Sequence, residues 1–362
     1  MPDRARVQWV DAGRGLAILL VALYHAARWL SEIGVDTTGW QTLNAGLATL
    51  RMPVFFTISG MFAKKWTTGG WKALVTGKVF FLVWVFAVWE VIGTAFFYFG
   101  NLFIGKRLGV LSTLRSLLLA PVLPQLELWF IWALALFFLL AKLITPLPTW
   151  VQLAASGVIS VVALTVWYAQ TTGPTGAAKF FFFFLLGLHL KDQVARIAEL
   201  RLWVVIPVFV VWTAISVLSA AFGFMGLPGW YFLNCCLGVV AGFSIARLAG
   251  RLRFLRYLGQ NTLPVYVAHT PIILIGVSAI HLTGLAISGN DLFGTPILAM
   301  IAVAGALGLK AILGRGPAAW LYGPGRRATA WVESRVGGAS EALEKRHEAR
   351  RSRLERLGDD SA

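Results

Sequence analysis

The chain has 362 residues, 58% hydrophobic and 13% charged, against roughly 45–50% and 25% in an ordinary soluble domain. With a mean hydropathy of +0.73, that balance excludes a water-soluble enzyme and makes the bilayer the solvent for most of the chain. The formal charge of +16 sits mainly in the hydrophobic body, as cytoplasmic loops do, and no basic tract with interleaved aromatics stands apart to bind nucleic acid.

Taken in chain order, the apolar stretches predict an all-α, polytopic integral membrane bundle of about ten helices, near 12–30, 43–62, 79–100, 128–144, 150–168, 178–190, 202–221, 230–249, 261–281 and 295–313. Strands of a barrel are excluded because Val79–Val88 and Phe180–Leu186 are apolar at every position. The first segment resembles a signal peptide, but Arg14, His25 and Arg28 interrupt it, so it reads as a retained helix. The sixth is short enough to be a partial span. Between the third and fourth segments, Leu108–Leu119 reads as an interfacial or re-entrant helix. Seven tryptophans, among them Trp29, Trp40, Trp66 and Trp71, fall near segment ends, as an interfacial belt would. Cys235 and Cys236 are adjacent in an apolar run and read as packing, with no disulfide framework and no metal site. The transmembrane body extends over 1–322, and a charged cytoplasmic tail over 323–362. Basic residues near Arg4, Lys64–Lys78, Lys142, Lys191–Arg201, Arg247–Arg256 and the tail fall on one side, which puts both termini in the cytoplasm; Glu32, Asp36 and Asp291 mark the opposite side. Lys106, Arg107 and Arg115 run against that pattern. No internal repeat is evident.

Ionisable groups inside a bilayer mark a functional interior, so their depth is informative. Arg14 and His25 lie 11 residues apart on one helical stripe, about 16 Å along the axis. Counting from Lys64 places Arg51 about 20 Å above the cytoplasmic boundary, and counting from Lys78 places Glu90 about 18 Å above it. Three helices thus bring His25, Arg51 and Glu90 to one level, with Glu127 and His269 as further candidates. The alternative is an interhelical ion pair with a satisfied histidine. His189, His281 and His347 read as interfacial, loop and tail residues, and Lys310 as snorkelling. No Walker A loop, dinucleotide fingerprint, zinc-protease motif or nucleophile elbow is present.

The stretch Trp9-Val-Asp11-Ala-Gly-Arg14-Gly15, with ten residues between Arg14 and His25, resembles the first-helix signature of the membrane acyltransferase-3 family. Arg51-Met-Pro53-Val-Phe55-Phe56-Thr-Ile-Ser59-Gly60 is similar to its second block. Weaker likenesses are Leu128-Trp129-Phe130, Phe184-Leu-Leu-Gly187, Tyr257-Leu-Gly259 and Tyr266-Val-Ala-His269. The resemblance covers about 7–315. It implies an enzyme of the plasma membrane that moves an acetyl or succinyl group from cytosolic acyl-CoA to a hydroxyl of a cell-envelope glycan, glycolipid or related acceptor. By motif, His25 and Arg14 match the family's essential first-helix pair and Arg51 its second-block arginine; with Glu90, reached by depth, His25 and Arg51 are the expected catalytic residues, and Arg14, Ser59 and His269 the substrate-binding ones. Physically, a poorly hydrated imidazole can take the acceptor hydroxyl's proton or carry the acyl group, Glu90 can orient it, Arg51 can face the oxyanion, and Arg14 can hold a phosphate. A secondary transporter using the same cluster, and a non-catalytic scaffold, are the competing readings.

Overall fold

Long apolar sequences rich in Ala, Leu, Val and Phe have one way to satisfy their backbone in lipid, which is to coil into helices. The computed structural model describes residues 8–124, 126–167, 173–197, 199–285 and 292–336, and among these it contains no strand. Arg4, Arg6, Asp291, His347 and the tail from 337 onward lie outside the described residues.

Helix α1 (Gln8–Ser31) is followed by α2 (Thr38–Met61) and two short helices, α3 (Lys64–Thr68) and α4 (Trp71–Leu74). A π turn over Val75–Val79 leads into α5 (Phe80–Phe103), and α6 (Val110–Leu119) is the short helix expected between the third and fourth segments. Then come α7 (Trp129–Leu143), α8 (Thr149–Val166) and α9 (Gly173–His189), which bends by 97° into α10 (Lys191–Ile197). The chain continues through α11 (Leu202–Phe222), α12 (Trp230–Ala249), α13 (Arg253–Gln260), α14 (Thr262–Thr283) and α15 (Gly294–Leu313). A 3-10 stretch, Gly316–Tyr322, closes the body.

Every predicted segment coincides with a helix, but six helices among the described residues are long and apolar enough to cross a membrane, or seven if α9 and α10 form one broken span. The count of ten is not reached by that measure. Helix α7 has only 15 residues, and in α2 the polar Gln41, Asn44 and Arg51 lower the hydropathy.

Contacts between helix ends fix the alternation of direction. At one end, called near, Arg14 lies over Phe62, Lys191 reaches the same ring, and Arg247 donates to the Leu200 carbonyl. At the far end Glu32 pairs with Lys106, and Trp230 Nε1 donates to Ser219 Oγ at 2.6 Å.

Glycines set how closely the helices approach. A Cβ on Gly15 would stand 1.9 Å from the Leu255 carbonyl oxygen, and one on Gly259 only 1.7 Å from that of Asp11, so α1 and α13 cross backbone against backbone. Gly60 and Gly187 make the same kind of crossing between α2 and α9, at 1.9 and 2.0 Å from the Phe184 and Thr57 carbonyls. Both pairs belong to the motif stretches singled out in the sequence. Pro53 cannot supply the N–H that would meet the Thr49 carbonyl in a regular helix, and Gly238 of α12 packs against that carbonyl. Around these crossings Phe56, fully buried, meets Phe130, Phe137 and Phe180 at ring separations of 4.6, 4.9 and 5.8 Å.

Candidate active site

Ten residues on from the Gly15–Gly259 crossing, about 15 Å along each helix, stand His25 and His269. Their ring centroids are 5.1 Å apart. The helical path of α13 and α14 begins at Arg253 and breaks only at Asn261, which carries His269 to the depth of His25.

His25 opens onto a cavity of about 790 Å³ in the far half of the bundle. Three stripes of helical spacing form about half of its wall: Val21, Tyr24, His25, Arg28 and Ser31 of α1; Gln41, Asn44, Ala48, Arg51 and Met52 of α2; Glu90, Thr94 and Phe97 of α5. Glu127, ahead of α7, closes one side, Tyr231 and Tyr266 contribute from α12 and α14, and α6 lies across the far side.

His25 Nδ1 is 3.4 Å from Glu127 Oε1, within ion-pair reach although not aligned as a hydrogen bond. Both side chains are largely withdrawn from solvent, at 10% and 15% exposure. Tyr266 donates its hydroxyl to the Glu127 backbone carbonyl, holding the residue beside the two histidines. His269 is fully buried; its Nδ1 lies 2.7 Å from the Tyr266 carbonyl and 3.0 Å from that of Val265. Carbonyls only accept, so this nitrogen carries a proton and Nε2 faces the Thr270 hydroxyl at 3.3 Å. Arg51 Cζ sits 4.7 Å from the Tyr24 ring centroid, and Nη1 donates to the Leu20 carbonyl at 3.3 Å. The guanidinium is thereby held over the Tyr24 ring in the wall with further N–H groups to offer.

Besides His25 Nδ1, two buried atoms of the wall have no hydrogen-bond partner among the described residues: Glu90 Oε2, an acceptor, and Asn44 Nδ2, a donor. Leaving such groups unpaired is costly, so a polar molecule in the cavity, water or ligand, has to answer them.

The structure thus brings His25, Arg51 and Glu90 onto one cavity wall and sets His269 behind His25. It places the other two expected residues elsewhere. Ser59 gives its hydroxyl to the Phe55 carbonyl at 2.8 Å, one turn back on its own helix. Arg14 stays at the near end, 5.0 Å from the Phe62 ring centroid. The carboxylate beside His25 belongs to Glu127 rather than to Glu90. Asn44, Gln41 and Tyr24 were not singled out in the sequence. Asn44 precedes Arg51 by seven residues, two helical turns on the same stripe, which was a readable signal. No group of three or more His, Cys, Asp or Glu able to hold a metal occurs among the described residues.

Residues 7–315 match a family model described as an acyltransferase domain, the acyltransferase-3 model. The chain belongs to the acyltransferase-3 family. It is accordingly a multi-pass membrane enzyme that transfers acyl groups other than aminoacyl groups, which favours the enzyme over the transporter and the scaffold. No curated protein and no solved structure matches the chain. Of the family's stretches, Gly15, Gly60, Gly187 and Gly259 are accounted for by close helix crossings, whereas His25 and Arg51 face the cavity.

Proposed function

We propose that this acyltransferase moves an acetyl or succinyl group from acyl-CoA, reached at the near end, to a hydroxyl of a cell-envelope glycan or glycolipid held in the far-end cavity. The near end is then the cytoplasmic side and both termini lie there. The observation that carries the reading is the wall itself, where His25, backed by Glu127, shares one cavity with an unpaired donor on Asn44 and an unpaired acceptor on Glu90. A hydroxyl both donates and accepts, so a polyhydroxylated ligand answers both atoms.

Each residue then has a task. With His25 Nδ1 turned to Glu127, Nε2 takes the acceptor's proton as its oxygen attacks the thioester carbonyl. Arg51 faces the oxyanion that forms. The C–S bond breaks, and the departing thiolate takes the proton from the imidazolium. At the near end Arg14 and Lys191, 5.0 and 5.7 Å from the Phe62 ring centroid, suit the phosphates of the donor. About 16 Å of α1 separates Arg14 from His25, the distance that the donor's flexible arm has to cover.

The test is transfer by protein reconstituted in vesicles, supplied with radiolabelled acetyl-CoA or succinyl-CoA and an envelope extract. Label is expected in the glycan or glycolipid fraction in an alkali-labile ester. Label confined to hydrolysed donor or to amines overturns the hydroxyl acceptor.

A further inference from the structure

Helix α6 has two faces of different chemistry. Leu108 ahead of it and Ser112, Thr113, Ser116 and Leu117 line the cavity; the Ser112 and Thr113 hydroxyls donate to the Gly109 carbonyl at 2.7 and 3.0 Å, which leaves their oxygens as acceptors on that face. The opposite face carries Leu111 and Leu118, 81% and 80% exposed, with Leu114 beside them and Arg115 between Leu111 and Leu119 on the helical wheel. No residue of α6 is buried. The segment is nevertheless tied at both ends. Lys106 pairs with Glu32, and beyond the helix Ala120 is buried while the Pro121 carbonyl accepts from Trp132 Nε1 at 2.9 Å. Arg107 and Arg115 have no ion-pair partner among the described residues.

A helix apolar on one side, hydroxylated on the other and bearing an arginine within its apolar face lies in the bilayer surface, with the arginine at headgroup level. Its position makes it the wall between lipid and the cavity. We infer that α6 is a gate seated in the far leaflet, through which the acceptor arrives from the lipid side. The acceptor is therefore an anionic amphiphile. Its hydroxyl-bearing head passes Ser112, Thr113 and Ser116 toward His25, its chain stays in the bilayer, and the negative group at its neck pairs with Arg107 and Arg115. This rests on the reading of the cavity as the acceptor site, but its test does not depend on transfer. With Lys106 paired to Glu32, it also accounts for Arg107 and Arg115 on the side where loop charge predicts few basic residues.

The experiment places a photoreactive benzoylphenylalanine at Thr113, on the cavity face, or at Leu118, on the lipid face, in the full chain in nanodiscs. The discs contain either phosphatidylglycerol, an anionic lipid with a diol head, or phosphatidylcholine. Position 118 should give lipid adducts in both discs and so report insertion. Position 113 should give an adduct with phosphatidylglycerol that falls about fivefold for each arginine replaced in R107Q and R115Q and is nearly lost in phosphatidylcholine. His25→Ala should leave every adduct unchanged, so a failure of the transfer mechanism is read separately, from turnover. Adducts at 118 without any at 113 overturn lateral access, and equal adducts at 113 from both lipids overturn the anionic acceptor.

Discussion

The 3.4 Å between His25 and Glu127 makes a division of labour among the carboxylates testable. Losing general-base assistance typically costs about 10²–10⁴ in rate, so His25→Ala is expected to insert normally and lose that much in single-turnover transfer. Glu127→Gln should slow transfer more than Glu90→Gln, since Glu127 is the carboxylate within reach of the ring while Glu90 Oε2 is an unpaired acceptor of the cavity wall; Glu90→Gln should instead raise the acceptor KM. The reverse order would return the supporting role to Glu90. Arg51→Lys keeps the charge but loses the plane that stacks on Tyr24 and the fork that reaches Leu20. Its turnover should fall about 10²–10³, the range for removing one oxyanion donor, and a wild-type rate would remove Arg51 from the reaction. His25, Arg51 and Glu90 were legible because helical rise is constant, so counting from an interfacial lysine gives depth. Glu127 could only be suspected, since it precedes its helix in a stretch without periodicity. Asn44 escaped notice because an amide carries no charge, although its spacing to Arg51 placed it on the same stripe.

At the scale of elements, the crossing of α1 with α13 depends on two missing side chains. Gly15→Ala or Gly259→Ala would push a methyl within 2 Å of a carbonyl oxygen, and overpacking of that kind costs roughly 1–3 kcal/mol or more. Thermal unfolding in detergent should show both variants clearly destabilised and, because the histidines lie beyond the crossing, slowed in transfer as well. Gly93→Ala on α5, where nothing lies within 4 Å, should be neutral or stabilising by up to about 1 kcal/mol. Equal melting of all three would show that the glycines do not set the helix approach. Sequence periodicity announced these helices but not their irregularities. The π turn before α5, the 97° bend at Leu190 and the break at Asn261 depend on what each segment packs against, which composition does not encode.

For the molecule as a whole, loop charge predicts that α1 begins and α15 ends on the cytoplasmic side. In intact cells, a membrane-impermeant thiol reagent should label Asp36→Cys from outside and leave Ser334→Cys unlabelled until the membrane is opened. Labelling of both positions from outside would reject the topology. The family was readable from two short blocks because they lie on α1 and α2, the pair of helices that contributes most residues to the cavity wall. How many helices cross was less readable, since α2 spends its apolar character on Gln41, Asn44 and Arg51.

The meeting of α1 with α13 and α14 also has a consequence in time. His25 is made roughly 240 residues before His269, and ribosomes add about 5–20 residues per second. For some 12 to 50 s the first helix, with Asp11, Arg14 and His25 on it, must wait in or beside the insertion machinery without α13 and α14, although α2 is there to pack on it early. Of the six helices apolar enough to cross alone it has the lowest hydropathy, 1.3, so its retention in the membrane depends more than theirs on packing partners, α13 and α14 among them. Biogenesis of this enzyme should therefore be limited by a late event: chains arrested before residue 253 should expose α1 to membrane chaperones and proteases, while chains that have released α14 should not.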